Sequence, residues 1–150
     1  VQLYALDKEK NPIFALSAQK QHDYKCAECL GTVRLRSGIH RRPHFFHLKP
    51  ASSCFQSGKS MVHLQVQYHL LDHLPEGDCH LEHRFPAIDR IADVLWKSKN
   101  IVFEIQCSPI TAQEVEKRTQ DYSNLGLTVV WILHDNYFNQ KRVSAAEMYL

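Results

Sequence analysis

The chain has 150 residues, 44% of them apolar, with 18 Lys and Arg against 16 Asp and Glu, a formal net charge of +2. That length and apolar share suit a folded domain with a small appended module, and they exclude a disordered or fibrous chain. The near-neutral balance means that nucleic acid would be drawn by local patches rather than by a strongly basic whole.

No apolar stretch approaches the roughly 20 residues of a spanning helix, and the first residues lack the charged-then-apolar order of a secretory signal. A soluble, cytoplasmic protein with no membrane partner is expected, and the opening on Val1 rather than Met leaves room for a segment ahead of it. Five cysteines, two of them a close pair, read as metal ligation in a reducing compartment rather than as a disulfide framework.

Residues 1–18 predict an N-terminal hairpin, two short strands joined by the turn-rich DKEKNP. Residues 22–54 form a Cys/His segment punctuated by Gly31 and Gly38, with the extended piece TVRLR between them. Within it Cys26 and Cys29, followed by His44 and His47, offer two close pairs of soft ligands for a tetrahedral zinc ion, with Cys54 near enough to replace one histidine. Such a knuckle would stabilise a segment too poor in apolar residues to fold by itself. Arg34, Arg36, Arg41 and Arg42 cluster there too, either as phosphate-binding groups or as a solvated hairpin surface.

The stretch KPASSCFQSGKS, residues 49–60, loses periodicity and predicts a linker, which divides the chain into a module at 1–56 and a domain at 57–150. From Ser60 to Leu74 the apolar spacing predicts an amphipathic helix capped by Ser57 or Ser60 and stopped by Pro75. Three extended runs follow, CHLEHRF, RIADVLW and IVFEIQC, then a helix over TAQEVEKRTQDYSNLG, opened by Ser108-Pro109 and ended at Gly126, and a buried strand LTVVWIL. The order is α-β-β-β-α-β.

Alternation along IVFEIQ puts Glu104 and Gln106 on one strand face, and a hairpin through KSKN brings Asp93 beside them. Carboxylates buried in such apolar runs cost several kcal/mol, in order of magnitude, unless something compensates them. Two compensations are open: a divalent ion held by Asp93, Glu104 and the Ile105 carbonyl, or ion pairs of Asp93 with Arg90 or another arginine and of Glu104 with a lysine. The first would place a magnesium or manganese ion, with its waters, where a phosphodiester can be hydrolysed. Cys79 and Cys107 read as small core residues, and Glu82 as a possible further carboxylate.

The runs HLQVQYHLLDHL, RIADV, EIQCSPIT, the helix from Arg118 to Tyr122, VVWIL and the CxxC…HFxH pattern together resemble the competence protein CoiA-like family. The resemblance spans about Tyr24 to Leu133 and implies a PD-(D/E)XK restriction-endonuclease-like α+β core behind an N-terminal zinc module. It implies Asp93, Glu104 and Gln106 as the metal-binding and water-positioning set, with Gln where a lysine is usual, and His63 as the histidine of the first helix. Lys59 and Gln67 depart from the family pattern, which has an acidic residue and a lysine at those places. Arg118 and Tyr122, four apart on one helix face, would reach a phosphate near the metal. The implied activity is DNA hydrolysis in DNA uptake or recombination, beside DNA-processing partners. A DNA-binding module that kept the nuclease fold without turnover, and an interaction scaffold with ion-paired carboxylates, are the rival readings.

Overall fold

The computed structural model describes residues 1–49, 54, 56 and 59–150. Most of the linker expected at 49–60, and the alternative helix cap Ser57, lie outside the described residues. The chain divides into two compact units, Val1–Gln65 and Val66–Leu150, the division falling within the first helix.

The first unit is an antiparallel five-stranded sheet: β1 Tyr4–Leu6, β2 Pro12–Phe14, β3 Asp23–Lys25, β4 Thr32–Gly38 and β5 Arg41–His47, in the order β2-β1-β3-β4-β5. The expected N-terminal hairpin is β1–β2, closed through DKEKN by Asp7, whose carboxylate accepts the Glu9 and Asn11 amides. Gln2 pairs with Phe45 through two main-chain hydrogen bonds, so the segment before β1 also meets β5 and the sheet curls onto its own beginning. Ala5, Ala15, Tyr24, Val33 and Phe45 fill the core of this unit, and Cys26 and Cys54 are buried among them. Ile13, Ala18, Cys29 and Leu35 pack against this core from its edges.

The second unit carries the predicted order. Helix α1 (Met61–His73) leads into β6 (Cys79–Phe85), β7 (Arg90–Trp96) and β8 (Ile101–Gln106), an antiparallel meander, and α2 (Ala112–Ser123) then crosses to β9 (Thr128–Leu133), which lies parallel to β8. The sheet order is β6-β7-β8-β9. The crossing helix is what a parallel pair requires, since no tight turn can join two strands running the same way. β7 is buried over Ala92, Asp93, Val94 and Leu95, so it is covered on both faces, as a central strand is.

Ser60 accepts the His63 amide at 3.1 Å and so serves as the cap of α1. α2 starts at Ala112, later than Ser108-Pro109 suggested, because Thr111 is its cap: the hydroxyl accepts the Glu114 amide. The chain leaves α2 through Gly126 at φ +73, a backbone conformation that glycine adopts without penalty. Removing the cap hydroxyl in Thr111→Ala should lower the stability of the second unit by about 1 kcal/mol in chemical denaturation, with the fold retained.

Candidate functional site

β7 and β8 pair as Trp96 with Ile101, Leu95 with Val102 and Val94 with Phe103. One further step of that register sets Asp93 opposite Glu104, at the place where the ladder opens, and directly opposed residues point to the same sheet face. Both are buried, Asp93 at 7% exposure and Glu104 at 2%. Asp93 Oδ2 accepts the Ile105 amide at 2.9 Å, which fixes its carboxylate over the end of β8.

Glu104 is held from α2. Tyr122 donates its hydroxyl to one carboxylate oxygen at 2.7 Å, and Arg118 donates to the other at 3.0 Å. Arg118 is oriented in turn by Glu114, one turn back along α2, at 2.7 Å. Arg90 bonds that same Glu114 at 2.8 Å and reaches Asp121 at 2.9 Å. The cation beside Glu104 is an arginine rather than a lysine. From α1, the buried Gln67 donates its amide to the Asp93 main-chain carbonyl at 3.0 Å.

The electrostatics of this cluster are unbalanced. Burial, and after it the charge of Asp93, push the Glu104 carboxyl up to about 7, more than Arg118 and Tyr122 pull it down. Burial and the neighbouring Glu104 likewise raise the Tyr122 hydroxyl, so it remains a donor. Two carboxylates so placed could bind a hard divalent cation, whose charge would relieve the repulsion.

Among the other expected site residues, Gln106 turns its amide to the β8–α2 loop, donating to the Ser108 carbonyl at 2.7 Å and hydroxyl at 3.2 Å. Glu82 falls between the pairs Leu81–Val94 and His83–Ala92, hence opposite Asp93, with a left-handed backbone at φ +50. His63 is buried on α1 one turn before Gln67. The supporting roles of Glu114, Arg90 and Asp121 were missed from sequence. The four-residue spacing of Glu114, Arg118 and Tyr122 was the signal that put all three on one helix stripe.

The second cluster lies in the first unit. Cys26, Cys29, His47 and Cys54 bring their ligand atoms within 4.8 Å of one another. The Cys26 and Cys54 sulfurs are 3.7 Å apart, and His47 Nε2 is 3.3 Å from Cys29 Sγ and 3.7 Å from Cys54 Sγ. A tetrahedral zinc with ordinary bond lengths sets such atoms about 3.4–3.8 Å apart, so the group could hold a metal such as zinc. Gly31 matters at this point, because a Cβ there would stand 3.2 Å from the Cys29 sulfur. Burial pushes the Cys54 thiol up to about 12. Burial also raises Cys29, but hydrogen bonds from the Gly31 amide and the other two thiols outweigh it and leave that thiol below its usual range.

His44 is not in this group; Cys54 has its place. The reason is strand alternation. His44 and His47 are three apart on β5, so they point to opposite faces. His47 sits across from the core residue Val33, whereas His44 sits across from Arg36 and bonds the Arg42 carbonyl.

Comparison with known proteins gives two successive matches along the chain. The description "Competence protein CoiA, nuclease-like domain" matches residues 59–149, and "Competence protein CoiA, N-terminal domain" matches residues 7–57. The competence protein CoiA of Bacillus subtilis (strain 168) is 23% identical over 138 residues, which covers 85% of this chain and 35% of that protein. The chain thus spans about a third of the length of the curated relative it matches. No solved structure matches.

Two outcomes are expected from these clusters. Protein purified without chelator should carry about one zinc per chain, retained in His44→Ala and lost in Cys54→Ser, as read by elemental analysis. For Glu104, the raised carboxyl means that the metal-free folded state holds an extra proton between about pH 4.5 and 7. Stability should then fall as pH rises through that window, by on the order of 3 kcal/mol. Glu104→Gln should remove that part of the slope in denaturation curves taken across the range.

Proposed function

The chain belongs to the competence protein CoiA family, and on that footing we propose that it is a divalent-metal-dependent nuclease hydrolysing DNA phosphodiesters during competence-related DNA uptake or recombination. The observation that carries this reading is the convergence of two buried carboxylates, Asp93 and Glu104, from adjacent strands, with Glu104 pushed up to about 7.

Asp93, Glu104 and the neighbouring Ile105 carbonyl would hold a magnesium or manganese ion, which when bound acidifies a water and offsets charge on the phosphate. Arg118 keeps Glu104 oriented and supplies positive charge beside it, and Tyr122 holds the other carboxylate oxygen in place. Gln106, at the mouth of the β8–α2 loop, orients by hydrogen bonding where a lysine would add charge. Gln67 steadies the backbone of Asp93. Arg34, Arg36, Arg41 and Arg42 of the N-terminal unit supply sequence-independent contacts to the DNA backbone.

One observation favours a second reading, a DNA-binding module without turnover. Both oxygens of Glu104 already have protein donors, and no lysine stands in the water-positioning place. A cleavage assay separates the two. With single-stranded, duplex and branched DNA, cutting should require magnesium or manganese. Asp93→Ala and Glu104→Ala should each lower the rate by at least a hundredfold, the scale of losing a metal-assisted step, while DNA binding persists. Binding without cutting under every metal and substrate would establish the second reading, and equal cutting by parent and both variants would remove the site.

A further inference from the structure

The N-terminal unit presents a second surface that neither the metal group nor the carboxylate site uses. Alternation along β4 sends Val33 and Leu35 to the core side and Thr32, Arg34 and Arg36 to the other face. Across the ladder, Arg34 stands opposite Phe46 on one side and opposite Asp23 on the other. The Arg36 guanidinium lies 4.3 Å from the centre of the Phe46 ring. A cavity of about 460 Å³ adjoins this face, lined by Lys20, Gln21, Arg34, Leu35, Arg36, Ser37 and Phe46.

The charges are unevenly matched. Lys20, Arg34 and Arg36 are exposed, and the carboxylate beside them is Asp23, bonded to Arg34 Nε at 2.5 Å. Arg36 has no carboxylate partner among the described residues, its guanidinium being spread flat on an aromatic ring. Such a layer keeps an outer planar surface on which a further ring can stack, and its charge favours an electron-rich one beside phosphate.

We propose that this face binds single-stranded nucleic acid, an unpaired base stacking on the Arg36–Phe46 layer while Arg34 and Lys20 hold the flanking phosphates. A cationic groove interleaved with an aromatic is the arrangement that takes a single strand without sequence preference. Bases inside a duplex are stacked on each other and closed to such a layer, so the selection is for unpaired strand. Gln21 and Ser37 at the rim supply donors and acceptors for a base edge. Asp23 holds Arg34 in place and at the same time tempers its attraction for phosphate. The proposal deepens the reading of the chain as a DNA-handling protein, and it requires no cleavage.

The test uses the full chain as purified without chelator, in low salt with neither magnesium nor manganese added, and follows the anisotropy of a labelled 12-nucleotide thymidine strand and of a labelled duplex of equal length. The single strand should bind more tightly than the duplex. Arg36→Ala and Phe46→Ala should each weaken it roughly tenfold, the scale of losing one base stack. Arg36→Lys, an exposed change that keeps the charge, should weaken it nearly as much because an ammonium does not stack flat. Asp23→Asn should tighten it. Arg36→Lys binding as the parent does, duplex binding as well as single strand, or polyglutamate displacing the strand at equal charge concentration would each overturn the proposal. Cleavage lost with this preference intact would count against the nuclease reading alone, and cleavage intact with the preference absent would count against this surface alone.

Discussion

The repulsion between Asp93 and Glu104 is the constraint around which the second unit is arranged. A fold that buries one carboxylate can neutralise it with a proton or an arginine, but two carboxylates facing one another on adjacent strands ask for more positive charge than one guanidinium supplies. Arg118 and Tyr122 saturate the oxygens of Glu104 with hydrogen bonds, and Glu114, itself shared with Arg90, fixes Arg118. Even so, Glu104 stays near 7. A carboxyl displaced that far by its surroundings marks this pair as the most perturbed acidic group of the unit.

The rest of the unit serves that placement. The meander brings β7 beside β8, α2 lays its Glu114, Arg118 and Tyr122 stripe over Glu104, and α1 pins the Asp93 backbone through Gln67. Tyr122 also packs edge-on against Phe85, with ring centres 5.7 Å apart, so the hydroxyl that orients the carboxylate belongs to a ring anchored in the apolar cluster of Ala92, Leu95 and Val102. A buried carboxylate is held in one orientation only when the groups that support it are themselves locked by packing. In the first unit the cysteine and histidine group could hold a metal such as zinc, which would tie β5 to the Cys26–Cys29 turn.

Much of this could be read from the residues in order. RIADVLW and IVFEIQ, separated by KSKN, announced two central strands meeting in a hairpin, and their alternation placed Glu104 on the Asp93 side. The stop at Pro75 and the turn at Gly126 framed the helices. Less legible were features that depend on geometry across elements. The Thr111 cap was hidden because Ser108-Pro109 offers an equally good local start, and only the course of the β8–α2 loop chooses between them. His44 illustrates a misapplied period: spacing of three suits two ligands on a helix or in a loop, but on a strand it divides them between faces, and Cys54 then completes the set. Arg118 and Tyr122 were rightly placed on one face, yet their partner in the folded chain is Glu104, a contact that no local pattern encodes.

The most direct trial of the central claim is an anomalous-scattering map from crystals soaked in manganese. The account predicts one strong peak beside the Asp93 and Glu104 carboxylates, about 2.1–2.3 Å from their oxygens, as hard divalent ions require. A map with no density there, and Glu104 still closed on Arg118 and Tyr122 at saturating manganese, would contradict it.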